Sequence, residues 1–97
     1  MMLYFRAKWD KTIADVLKEN PDVRVRVIGH TDSDGNAASN LDLSKRRAAA
    51  VKASLSRDFG IDGSRIETDG KGQTEPLAPN NTSQGKAKNR RVEFIKI

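Results

Sequence analysis

The six residues VRVRVI, Val23 to Ile28, alternate apolar and cationic side chains, and no other stretch constrains this chain more. Side chains on a strand point to opposite faces in turn, so Val23, Val25 and Val27 share one face and Arg24 and Arg26 the other. Such a strand is half buried: it needs neighbours on its edges and a layer over its valine face. Helical signals flank it and supply that layer. Trp9, Ile13, Val16 and Leu17 recur at helical spacing, and Asn20-Pro21 ends the helix because proline disfavours the α conformation of the residue before it. A second helix is expected to start near Asn40 or Leu41, run through LDLSKRRAAAVKASLSRDF and stop by Gly60. A strand around Arg65 to Thr68 follows. Then come the turn-rich stretch Gly70 to Gly85, with a short helix starting near its end, and a closing strand, Arg90 to Ile97. Helices alternating with strands predict an α+β or α/β sandwich with the helices on one face of a sheet.

The 97 residues fit one domain spanning 1–97, without an internal repeat. A hydrophobic share of 36% beside 32% charged residues suits a small soluble domain with a modest core. No apolar run approaches the roughly 18 residues of a membrane span. The opening MMLYFRAKWD is too short an apolar run for a signal peptide, so an exported version takes its signal from sequence elsewhere. The absence of cysteine excludes disulfides and thiolate metal sites. A net charge of +5 favours anionic partners, nucleic acid among them. The basic residues are dispersed, however, and Tyr4, Phe5, Trp9, Phe59 and Phe94 are not interleaved with them as a base-stacking platform requires. A solvated basic surface is the simpler reading.

The strand runs into GHTDSDGNAASN, Gly29 to Asn40, which sets Asp32 and Asp34 at its mouth. On a helical wheel of about 100° per residue centred on Leu43, Arg47 falls at about +40°, within a stripe formed with Ala50, Ser54 and Val51. A guanidinium there must reach an edge or find an anion. It also lies near the end of the helix that the aspartate loop enters. Two readings remain open at this point: an internal Asp32–Arg47 salt bridge, or a split socket whose carboxylate takes an ammonium and whose guanidinium clamps a carboxylate. A calcium loop fails where it matters, since Ala37 and Leu43 stand where glycine and glutamate are needed. His30 is the one histidine and is more simply structural than a metal ligand or general base. Asp34-Gly35 is a turn dipeptide, and Asn40 is a candidate helix cap. No nucleophile and base are assembled for catalysis.

Several motifs stand in series: GHTDSDG, then NLDLSKRRAAAV from Asn40 to Val51, Gly60-Ile61, Arg65-Ile66, Gly70-Lys71-Gly72, Pro76, Asn80 and Asn89-Arg90-Arg91-Val92-Glu93. Together, over Val23 to Phe94, they resemble the OmpA-like C-terminal domain, found also in peptidoglycan-associated lipoproteins and flagellar stator proteins. The resemblance implies a βαβαβ-type sandwich with helices on one face of a mixed sheet. It implies a non-catalytic module, without cofactor, that grips the diaminopimelate of peptidoglycan stem peptides at the periplasmic face of the cell envelope and meets a membrane only through a parent protein. Asp32 and Arg47 take the places of the family's ligand-binding aspartate and arginine, with Thr31, Asn40 and Arg90 in support. Asn89 and Arg91 are expected to hold the last strand and its neighbouring loop. The pattern departs at the start, where only MMLYFRA precedes a helix expected near Lys8 or Trp9. Either Met2 to Phe5 is a shortened first strand or that strand is missing, which would leave an unpaired edge for a homodimer. The rival functions are an oligomerising structural domain with a vestigial pocket and a basic nucleic-acid-binding module.

Overall fold

A computed structural model describes residues 2–5 and 10–97. Four strands form one sheet: β1 (Met2–Phe5), β2 (Val25–His30), β3 (Ile66–Gly72) and β4 (Val92–Lys96). Their order is β1-β4-β2-β3, with β2 and β3 parallel and β4 antiparallel to both β1 and β2. Three helices connect them: α1 (Asp10–Glu19), α2 (Ala37–Phe59) and α3 (Ser83–Asn89), with a 3-10 turn at Gly63–Arg65. The architecture is the expected α+β sandwich with a mixed sheet. Met2–Phe5 is the short strand of the two alternatives, and it pairs with β4 from Met2 opposite Ile95 to Phe5 opposite Val92. Trp9, expected on the first helix stripe, lies outside the described residues, as does Lys8. Among the described residues no helix is long and apolar enough to cross a membrane.

The core lies between the sheet and α1 and α2. Ile13, Ala14 and Leu17 of α1 and Ala48, Val51 and Leu55 of α2 bury against Val25, Val27, Ile66 and Phe94. Val25 and Val27 follow the strand alternation, and Val23 packs at the margin just before the strand begins. α1 stops at Glu19, and the Arg65 guanidinium takes up carbonyls in and after its last turn, donating to Leu17, Asn20 and Val23.

α2 differs from expectation in start and rotation. Asn36 caps it, its side chain accepting from the Ser39 amide at 3.1 Å, so the helix begins at Ala37 and Asn40 sits inside it. Gly60 closes it in the left-handed region at φ 69°. The buried residues are Ser44, Ala48, Val51 and Leu55, which centres the sheet-facing stripe on small residues rather than on Leu43. Contact with the sheet explains the rotation. A Cβ on Gly29 would overlap the carbonyl oxygen of Ser44, and one on Gly70 would stand 2.5 Å from Ser44 Oγ. Two strand glycines thus let the α2 backbone lie almost on the sheet, and only a small residue fits between. The same contact carries β3 past the expected Thr68 to Gly72, because Gly70 and Gly72 serve close approach rather than a turn. Gly72 takes φ 56°, where the β2–β3 register shifts between Gly29 and His30.

Candidate functional site

The carboxyl end of β2 delivers His30, Thr31 and Asp32 between α2 and the segment leading into β4. The Thr31 amide donates to the Gly72 carbonyl at 2.8 Å, tying the loop to the end of β3. Thr31 Oγ1 donates to the Asp32 carbonyl, also at 2.8 Å. Asp32 is 8% exposed. Its Oδ1 accepts from the Asp34 amide at 3.0 Å, and its Oδ2 accepts from Arg90 Nη1 at 2.6 Å. Burial pushes this carboxyl up. The hydrogen bonds from Arg90 and Asp34 and the charges of Arg90 and Lys86 outweigh it, and Asp32 is held below the usual carboxylate range. Asn40 reaches back from α2, its Nδ2 donating to the Asp34 carbonyl at 2.9 Å and to Gln73 Oε1 at 3.0 Å, with a longer approach to the Asp32 carbonyl. Asn40 is thus a loop clamp rather than a helix cap.

The structure therefore joins Asp32, Thr31, Asn40 and Arg90 in one hydrogen-bonded group. Arg47 is not bonded to it, and the direct Asp32–Arg47 salt bridge is not formed, because Arg90 holds that carboxylate. Arg47 is exposed and makes no hydrogen bond or ion pair among the described residues. The shift of the buried stripe to Ser44 explains this: Arg47 lies about 70° from the centre of that stripe, so the core does not force it onto an anion. Arg47 nevertheless follows Asn40 by seven residues, two turns along the same helix face. Asn40 marks that face as the one turned toward the aspartate loop.

Sequence reasoning missed the contacts of Lys86 and Asn80, whereas Asn89 was expected to hold the loop beside the last strand. Lys86 of α3 pairs with Asp34 at 3.0 Å. Asn89, fully buried, accepts from the Leu77 and Ala78 amides and donates to the Ala78 carbonyl and to Asn80 Oδ1. Asn80 Oδ1 in turn accepts from the Ser33 amide. The stretch after β3 is thereby bound to α3 and to the aspartate loop. Nothing in local periodicity signals these contacts, although Asn80 and Asn89 both stand in the motif series.

Beneath the loop lies a second buried layer. By alternation Ile28, His30, Arg91 and Glu93 face away from α1 and α2. Arg91 donates to Glu93 Oε1 through Nε at 3.0 Å, its Nη2 lies 2.8 Å from the same oxygen as an ion pair, and Nη2 donates to the Glu75 carbonyl. His30 is 1% exposed, with Nε2 3.2 Å from Glu93 Oε1 but out of line for a hydrogen bond. Burial first, and the Arg91 charge second, push its pKa down, against the pull of Glu93, so the ring is neutral at neutral pH. Among the described residues no group of three or more His, Cys, Asp or Glu side chains is placed to hold a metal.

A mixed sheet backed by two helices thus carries a buried carboxylate, held by one guanidinium, at the mouth of its central strand. The model of the OmpA family matches residues 8–90, and the chain belongs to that family. It is 46% identical over 83 residues to outer membrane porin F of Pseudomonas aeruginosa, which covers 86% of this chain and 24% of the relative. It is 45% identical over 83 residues to the peptidoglycan-binding protein ArfA of Mycobacterium tuberculosis, covering 86% of this chain and 25% of that one. The chain thus spans about a quarter of the length of these relatives. Among solved structures, the peptidoglycan-associated lipoprotein of Burkholderia pseudomallei superposes with a TM-score of 0.85 at 26% identity, covering 99% of this chain and 89% of that one.

Proposed function

We propose that this chain is a non-catalytic domain, spanning residues 1–97, that binds peptidoglycan through the diaminopimelate of the stem peptide and anchors a larger envelope protein to the wall at the periplasmic face. The observation that carries the reading is the ionised Asp32, locked at the mouth of β2 with Arg90 on it and the unengaged Arg47 on the α2 face that Asn40 turns toward the loop. Asp32 receives the ammonium of the ligand and Arg47 its carboxylate. Thr31 and Asn40 hold the loop that presents Asp32. OmpA-family membership and the likeness to a peptidoglycan-binding and a peptidoglycan-associated protein support this assignment. Each charge-assisted contact in a half-wet site is worth about 1–3 kcal/mol, so one stem peptide binds modestly and many copies together hold the wall.

The rival readings draw less support. β1 covers the β4 edge that was to recruit a second copy, which removes the motive for a homodimer there. Arg26, Arg46, Lys71 and Lys86 are each paired with a carboxylate, which breaks up the cationic surface a nucleic acid would need.

Co-sedimentation with purified diaminopimelate-type peptidoglycan tests the proposal. The parent chain is expected in the pellet, and folded Asp32→Ala and Arg47→Ala variants in the supernatant. A folded parent that stays in the supernatant overturns it.

A further inference from the structure

Arg90 occupies the carboxylate that the ligand's ammonium is proposed to take, and its anchoring bears on which ligands the socket accepts. Its neighbours are buried and bonded. Asn89 is fully buried in four hydrogen bonds, and Arg91 is buried against Glu93 and the Glu75 carbonyl. The Arg90 backbone is therefore pinned on both sides, while its side chain is 48% exposed and, among the described residues, pairs with Asp32. A pinned base with a half-exposed cationic arm can leave the carboxylate without disturbing the fold.

We propose that Arg90 is a specificity-determining plug that makes binding conditional on a carboxylate beside the ligand's ammonium; the inference rests on the functional reading above. A ligand ammonium competes with the Arg90 guanidinium for Asp32. A plain primary amine displaces one cation with another and leaves Arg90 uncompensated next to it, with two like charges close together. A zwitterionic terminus brings its own carboxylate, on which the displaced guanidinium closes. The result is an alternating row of Asp32, ligand ammonium, ligand carboxylate and Arg90. The socket then accepts a stem peptide ending in diaminopimelate and rejects one ending in lysine, whose side-chain amine has no adjoining carboxylate. The socket thus discriminates by a repulsive element as well as an attractive one. Arg47 contributes attraction for the carboxylate but does not sit on Asp32, so the two arginines predict different mutant behaviour.

The test is isothermal titration of the chain with two tripeptides, L-alanyl-γ-D-glutamyl-diaminopimelate and its lysine counterpart, using the parent, Arg90→Gln, Arg90→Lys and Arg47→Ala. The parent is expected to prefer the diaminopimelate peptide. Arg90→Gln is expected to gain affinity for the lysine peptide by about tenfold, the order of one charge-assisted contact. Arg90→Lys keeps the parent's order, and Arg47→Ala loses the diaminopimelate peptide without gaining the other. An Arg90→Gln variant that binds the lysine peptide no better than the parent overturns the plug, whatever it does to the other ligand. A parent that ignores the diaminopimelate peptide overturns the functional reading and the plug with it, whereas a parent that binds it and an Arg90→Gln variant without the gain overturn the plug alone.

Discussion

The two faces of the sheet are built on opposite principles. Toward α1 and α2 the interior is apolar: Val25, Val27, Ile66 and Phe94 pack with Ile13, Leu17, Val51 and Leu55 and depend on shape and volume. On the other face, at the site end, His30, Arg91 and Glu93 are buried beside Ile28, with Asn89 fully buried next to them. Further along that face the pairing Arg26–Glu67 is exposed. The apolar side supplies stability that many similar side chains could supply. The polar side supplies position, because each charged or amide group has one geometry in which its partners are satisfied. It holds the Arg90 backbone and the loop after β3, which together frame Asp32. In this fold, strength and aim are provided on opposite sides of one sheet.

The largest effects come from cutting each side at its centre. Phe94→Ala, which opens a cavity in the apolar core, and Arg91→Ala, which leaves Glu93 buried without its partner, are each expected to cost about 3–5 kcal/mol in urea unfolding. They should part company on rescue. The double change Arg91→Met with Glu93→Leu is expected to recover most of the stability lost in Arg91→Ala, since it removes both buried charges, yet not the sedimentation with peptidoglycan, since Arg90 loses its anchor. Recovery of both would collapse the distinction between the two faces.

A smaller loss, about 2 kcal/mol, is expected for Asn89→Ala, which strands the Leu77 and Ala78 amides. Hydrogen exchange is expected to rise over residues 75–82 and not in α1. Exchange rising equally in both would mean that the loop is no separate unit.

The smallest effect is a pH dependence from the polar side alone. His30 faces Arg91 and Glu93 of the β4 segment and Glu75 of the preceding loop, and its pKa is pushed below the ordinary 6.5. The unfolded chain therefore binds a proton that the folded chain refuses. Stability is complete above about pH 6.5, declines as pH falls through that value and levels off below the lowered folded pKa. Urea midpoints at pH 7.5 and 5.5 should differ in the parent and converge in His30→Phe. Equal sensitivity in that variant would place the titration elsewhere.

Much of the apolar side could be read from the chain. The VRVRVI alternation, the Ile13–Leu17 stripe and the Gly60 stop all depend on interactions within a few residues, where strand and helix periods act directly. The rotation of α2 could not be read, because the wheel was centred on the large Leu43. The deciding feature was the absence of side chains at Gly29 and Gly70, far away in sequence, which draws Ser44 and Ala48 to the sheet. The same distance hid Asp32's partner: Arg90 lies 58 residues further along and no periodicity connects them.

By itself the sequence determined the element types, the half-buried central strand and, through its motif series, the residues from which the site is made. Tertiary structure alone decided which guanidinium sits on Asp32, that Arg47 stays unengaged on the face Asn40 marks, and which amides and carbonyls Asn89 and Arg91 hold. Local patterns follow from backbone geometry, which each short segment carries within itself. The pairing of one buried carboxylate with one of several arginines follows from where distant segments come to rest, and that is settled only when the core closes.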